Sequence, residues 1–96
     1  PVDVDVESVA ADSLGARNVG QRVYDVSSRF VERVVLVEDD AIRAAQRTLW
    51  SEFRLATEPG GATAFAALAS GAFQPAKGER LGILVCGGNV DLAKLA

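Results

Sequence analysis

Two short runs constrain this chain most: Val34-Val35-Leu36-Val37 and the longer stretch from Leu81 to Cys86. Neither carries a charged or hydrogen-bonding side chain on either face. A strand without a wet face belongs inside a sheet that is covered on both sides. Between the runs lies Ala62 to Ser70, nearly all Ala with Phe65 and Leu68, and ended by Gly71. A helix that is apolar all round must be buried among other elements. These three segments demand a great deal of cover from a chain of 96 residues and 10.1 kDa. Such a length makes one domain at most, and two or three strands do not close a sheet. Packing alone predicts that residues 1–96 are a single piece of a larger domain. The absence of Met and the Pro in first place agree with that expectation.

The rest of the chain fills in the order of elements. Residues 2–7 alternate Val with Asp, Asp and Glu, the period of a half-buried strand or extended arm whose acids form the wet face. Ser8 to Gly20 is rich in turn formers and small residues. Val19, Val23, Val26 and Phe30 recur at helical spacing. Glu38, Asp39 and Asp40 open a further helix, where negative charge suits the N-terminal dipole. Its stripe is Ile42, Ala45, Leu49 and Phe53, with Trp50 beside it. Arg43, Arg47 and Arg54 lie off the stripe, on the solvated face. Leu55 to Thr57 is a link, Pro59-Gly60-Gly61 stops it ahead of the Ala-rich segment that begins at Ala62, and Pro75 to Gly78 is a turn. Gly87-Gly88 turns the chain after the second strand, and Asn89 is a suitable N-cap for a helix over Val90 to Leu95. Strands alternating with helices predict an α/β fold with parallel strands, a partial three-layer α/β/α arrangement.

Composition excludes several chemistries. With no His there is no Ser-His-Asp triad, no imidazole proton shuttle and no His-based zinc site. The single Cys, Cys86, excludes an internal disulfide and a four-cysteine metal site, and no metal ligand set is expected. A net charge of −3 argues against nucleic acid as the partner. No basic segment precedes an apolar stretch, and no run approaches the ~20 residues of a membrane span. A lone thiol in a plain globular composition fits a reducing, cytoplasmic setting. Neither Lys77, in a Pro-Ala-Lys-Gly-Glu turn, nor Lys94, in the terminal helix, sits where a desolvated Schiff-base lysine would be expected.

Three motifs invite chemistry. Val85-Cys86-Gly87-Gly88-Asn89 places a thiol at the carboxyl end of a buried strand, where ligands bind in open α/β sheets. The same thiol also suits a small hydrophobe before an ordinary turn, and spacing leaves both readings open. Glu58-Pro59-Gly60-Gly61-Ala62 sets an acid before a tight turn into a small-residue helix that would pack closely against something flat. Ala11-Asp12-Ser13-Leu14-Gly15 contains an Asp that either forms a turn or lines a cleft.

In this order the three motifs resemble the C-terminal third of the fold-type II pyridoxal-phosphate enzymes of the serine/threonine dehydratase group. The matching stretches include Ala11-Asp12-Ser13, Asp40-Ala41-Ile42 with Leu49-Trp50, Glu58 to Ala62 with Ala66-Ala67-Leu68, and Cys86-Gly87-Gly88-Asn89-Val90-Asp91. They span almost the whole chain, and the last is the most specific. The sequence departs from the family at Ser13, where Gly is usual. The resemblance implies that residues 1–96 are part of the large domain, and that Cys86 hydrogen-bonds the pyridine nitrogen of pyridoxal 5'-phosphate. It implies that Gly87 and Gly88 keep the backbone close to the ring, that Glu58 lies near it, and that Asp12 supports a loop at the cleft. A thiol does not hold a protonated ring as a carboxylate does, so the cofactor is a weaker electron sink. That suits loss of a β-hydroxyl group, the dehydration of L-threonine or L-serine to a 2-keto acid and ammonia.

The family's Schiff-base lysine, phosphate loop and substrate-carboxylate loop have no counterparts here. The chain alone is therefore expected to hold no covalent cofactor and no catalytic residue, and to be inactive. An amino-acid substrate and a homo-oligomer are implied for the complete enzyme. Serine racemase and the pyridoxal-phosphate synthases share the fold type, and Cys86 leans toward the dehydratases. A reading from another class is a small non-catalytic α/β regulatory or oligomerisation module. The two-sided apolarity of Leu81 to Cys86 argues against it.

Overall fold

The computed structural model describes residues 1–95. Its elements are α1 (Ala11–Leu14), α2 (Gln21–Phe30), α3 (Asp39–Phe53), α4 (Pro59–Ala69) and a terminal 3₁₀ turn (Leu92–Lys94). Among these residues there is no strand, so the expected α/β fold with parallel strands is not what this chain forms.

The physical reason is visible in the two apolar runs. A strand exists only through a ladder, and no neighbouring run supplies one. In the first run Val35 and Val37 are half-buried, while Val34 and Leu36 are 81% and 88% exposed. In the second, Ile83 and Val85 are half-buried, while Leu84 is 78% exposed. Period-two burial survives, with Val37 and Val85 packed on the core and the opposite faces in water. The expected arm at residues 2–7 is likewise unpaired in a ladder. It is tied to the following loop through Val4 N donating to Arg17 O at 2.9 Å and Asn18 Nδ2 donating to Asp3 Oδ1 at 2.9 Å.

The core sits between α3 and α4. Ile42, Ala45 and Leu49 fall on one face of α3 and are buried against Ala62 and Ala66 of α4, with Ala10 at the edge. Small residues on α4 let the two helix backbones come close. Phe53, expected on the α3 stripe, is instead 60% exposed at the helix end. There Arg54 adopts a left-handed φ of 56° and its guanidinium lies 5.3 Å from the Trp50 ring. Asp39 and Asp40 stand in the first turn of α3 as expected. Asp39 does more than oppose the dipole. Its carboxylate accepts from Ser8 Oγ at 2.8 Å and from Val9 N at 3.1 Å, which pins the segment leading into α1.

α2 obeys its periodicity but buries nothing. Val23, Val26 and Phe30 all face solvent, and among the described residues only α3 with α4 and α1 with α4 pack as pairs of elements. The radius of gyration is 14.3 Å, against roughly 12.5 Å for a compact domain of this length. α4 begins at Pro59, earlier than the expected Ala62, because Pro is preorganised for the first helical position. The helix expected over Val90 to Leu95 reduces to the 3₁₀ turn. Its cap is Asp91, whose Oδ1 accepts from Ala93 N at 3.0 Å, and not Asn89. Among the described residues, no helix is long and apolar enough to cross a membrane.

Candidate cofactor edge and the cavity beside it

Glu58 is the N-cap of α4, although its carboxylate caps nothing. Its backbone carbonyl accepts from Gly61 N at 3.0 Å and Ala62 N at 3.2 Å, closing the first turn of the helix. Its own N–H donates to Gly87 O at 2.6 Å. The Cys86–Gly88 segment, which forms no regular turn, is thereby fastened to the start of α4, and two of the sequence motifs meet at one point.

Glycine is required on both sides of this junction. A Cβ on Gly61 would drive into the backbone carbonyl of Cys86, a group with no side-chain freedom to yield. Gly87 has a φ of 76°, and a Cβ there would stand 3.3 Å from Glu58 Cβ. Gly88 differs, because nothing lies within 4 Å of where its Cβ would be. The Cys86 thiol is exposed. An exposed Cys86 and the open space at Gly88 leave room for a flat group along this segment. Glu58, half-buried, sits beside Gly87.

The third motif arrives from α1. Ser13 packs on Gly60, where an added Cβ would meet the flexible Ser13 hydroxyl. Asp12, Glu58 and Asn89 line a common cavity of about 350 Å³ between α1, α3 and the Asn89–Lys94 segment. Cys86, Gly87 and Gly88 do not line it.

Sequence reasoning missed Gln46. It is 7% exposed, lines that cavity, and donates from Nε2 to Thr57 O at 2.8 Å, holding the link that leads to Glu58. Its signal was a polar residue inside the Ile42, Ala45, Leu49 stripe. Arg43 and Lys94, read as solvated, are exposed but also line the cavity. Among the described residues, no group of three or more Cys, Asp or Glu side chains gathers that could hold a metal ion.

A family model described as pyridoxal-phosphate dependent enzyme matches residues 1–87. The chain belongs to that family, whose cofactor is pyridoxal phosphate. Within it, the chain is 45% identical over 96 residues to phenylserine dehydratase of Ralstonia pickettii, covering all of this chain and 29% of that protein. It is 32% identical over 87 residues to serine racemase of Dictyostelium discoideum, covering 90% of this chain and 26% of that one. It is 32% identical over 92 residues to a catabolic L-threonine dehydratase of Staphylococcus aureus strain N315, covering 94% and 27%. The chain thus spans under a third of the length of these relatives. No solved structure matches it.

Proposed function

We propose that this chain carries the cofactor edge of a pyridoxal-phosphate-dependent dehydratase that acts on a β-hydroxy α-amino acid. The observation that carries the reading is the Glu58 N–H to Gly87 O bond, which presents an exposed Cys86 thiol and the open side of Gly88 next to Glu58. When bound, the cofactor supplies an electron sink for loss of the Cα proton and the β-hydroxyl group. Cys86 Sγ would hydrogen-bond the ring nitrogen without placing a full negative charge beside it, Gly87 and Gly88 would keep the backbone out of the ring's way, and the Glu58 backbone would hold the Cys86–Gly88 segment in place. The two lysines, Lys77 and Lys94, are both exposed, so these 96 residues by themselves do not turn over substrate. The 2-keto acid and ammonia are the products, and L-threonine, L-serine and L-phenylserine are the substrates to compare, since relatives are named for dehydrating threonine and phenylserine.

The test is made on the full polypeptide whose reading frame carries these residues. It should show the absorbance of bound pyridoxal phosphate and release 2-keto acid and ammonia from at least one of the three substrates. Cys86→Ser should retain the elimination, and Cys86→Asp should lose it while half-transamination rises. Absence of keto acid from all three, with cofactor bound, would overturn the reading.

A further inference from the structure

The Thr57 carbonyl and the Glu58 N–H belong to one peptide group, and that group is held at both ends. Gln46 Nε2 donates to Thr57 O at 2.8 Å, and Glu58 N donates to Gly87 O at 2.6 Å. A peptide unit is planar and stiff, so its carbonyl and its N–H turn together about the line joining the two Cα atoms. A donor fixed on the oxygen therefore sets where the N–H points. The bonds run in series, from the Gln46 amide through the peptide to the Gly87 carbonyl, and each polarises the next in the same sense.

The donor is itself well anchored. Gln46 lies on the buried face of α3 between Ala45 and Leu49 and is 7% exposed. A carbonyl oxygen only accepts, so the nitrogen end of the Gln46 amide must face it. Thr57 is 3% exposed, and among the described residues Gln46 is the one donor to its carbonyl. The acceptor at the far end, Gly87 O, belongs to the residue after Cys86, while Cys86 O stands against Gly61 of α4.

We propose that Gln46 is a positioning residue for the cofactor edge. By fixing the Thr57–Glu58 peptide plane it sets the Cys86–Gly88 segment, and with it the thiol, against the pyridoxal ring. This role rests on the dehydratase reading given above. Gln46 touches neither cofactor nor substrate in it and acts through two hydrogen bonds and one rigid plane. An apolar side chain at position 46 leaves that plane free to turn, which weakens the Glu58–Gly87 bond and loosens the segment that carries Cys86.

The test uses the full polypeptide. Gln46→Met keeps an unbranched side chain and removes the donor, and Gln46→Leu removes it with a different shape. Ile42→Val, which trims the same buried face of α3 without touching the peptide, is the control. Hydrogen exchange at the Glu58 amide is followed in the cofactor-free protein, relative to the amides of Ala45 and Leu49. Both Gln46 variants should speed exchange at Glu58 about tenfold or more, with Ala45 and Leu49 changed by less than about threefold. Ile42→Val should leave the ratio as in the parent. Titrated with pyridoxal phosphate, the Gln46 variants should bind it at least about fivefold more weakly, and the control should not. An unchanged ratio in both Gln46 variants overturns the proposal, as does faster exchange shared equally by Ala45 and Leu49 or reproduced by Ile42→Val. Faster exchange at Glu58 with parental cofactor affinity overturns it too. A parent that binds no pyridoxal phosphate removes the dehydratase reading instead, and the exchange ratio still decides whether Gln46 sets the segment.

Discussion

The backbone N–H of Glu58 donates to the carbonyl oxygen of Gly87 at 2.6 Å, joining residues 29 positions apart. This bond forms where no ladder runs, so the position of the Cys86–Gly88 segment rests on it and on the fit of Gly61 against Cys86 O. Alanine in mid-helix ordinarily improves on glycine by up to about 1 kcal/mol. At Gly61 the sign should reverse. Gly61→Ala is expected to lower stability by about 1–3 kcal/mol, because backbone must move. Gly60→Ala, which meets only the Ser13 hydroxyl and the Leu14 side chain, should cost less. Urea midpoints of the two variants against the parent check this, and a milder effect at Gly61 than at Gly60 would refute it.

Gln46→Ala removes the donor to Thr57 O in a buried setting. A lost hydrogen bond that leaves a buried carbonyl unpaired costs about 1–3 kcal/mol. Thermal unfolding should show that loss, whereas Arg47→Ala, on the exposed side of the same helix, should change stability by less than about 0.5 kcal/mol.

Thr57 Oγ1 is buried and has no hydrogen-bond partner among the described residues. Thr57→Val keeps the shape and removes the polar atom, so the variant is expected to be more stable by up to about 1–2 kcal/mol. A destabilised variant in the same melting experiment would mean that the hydroxyl is satisfied.

How much of this was legible beforehand differs by element. α3 and α4 were, because a stripe of Ile42, Ala45 and Leu49 and a run of small residues are local signals that this chain's own packing satisfies. The strands at Val34–Val37 and Leu81–Cys86 were not. Their β-branched pattern is local, but a ladder needs a second chain segment at the right distance, and pattern alone cannot supply one. The short 3₁₀ turn was misjudged because Asn89 and Asp91 are both good caps and only geometry selects Asp91. At the proposed cofactor edge, Glu58 and Gly87 stand in the motifs that carry the resemblance and meet in space, while Gln46 is hidden in the sequence because a polar residue within a stripe reads first as a break in it.

An open apolar groove runs between α4 and Leu81–Leu84, lined by Ala64, Ala67, Leu68 and Phe73. Exposed apolar surface of this kind binds 8-anilinonaphthalene sulfonate. The native chain should therefore enhance its fluorescence. Leu84→Lys, which places a charge in the groove lining, should reduce the signal with the helical circular dichroism unchanged. An unaltered signal would place the dye elsewhere.

α2 is ten residues long and, among the described residues, packs against no other helix. Helices that short are marginal in water without tertiary support. Its amides therefore answer to a different clock from those of α3. In deuterated solvent they would exchange at rates close to those of a free peptide, while the amides around Ala45 and Leu49 wait for the whole molecule to open. One molecule then holds two stabilities, and a single melting curve followed by helical signal would average over both.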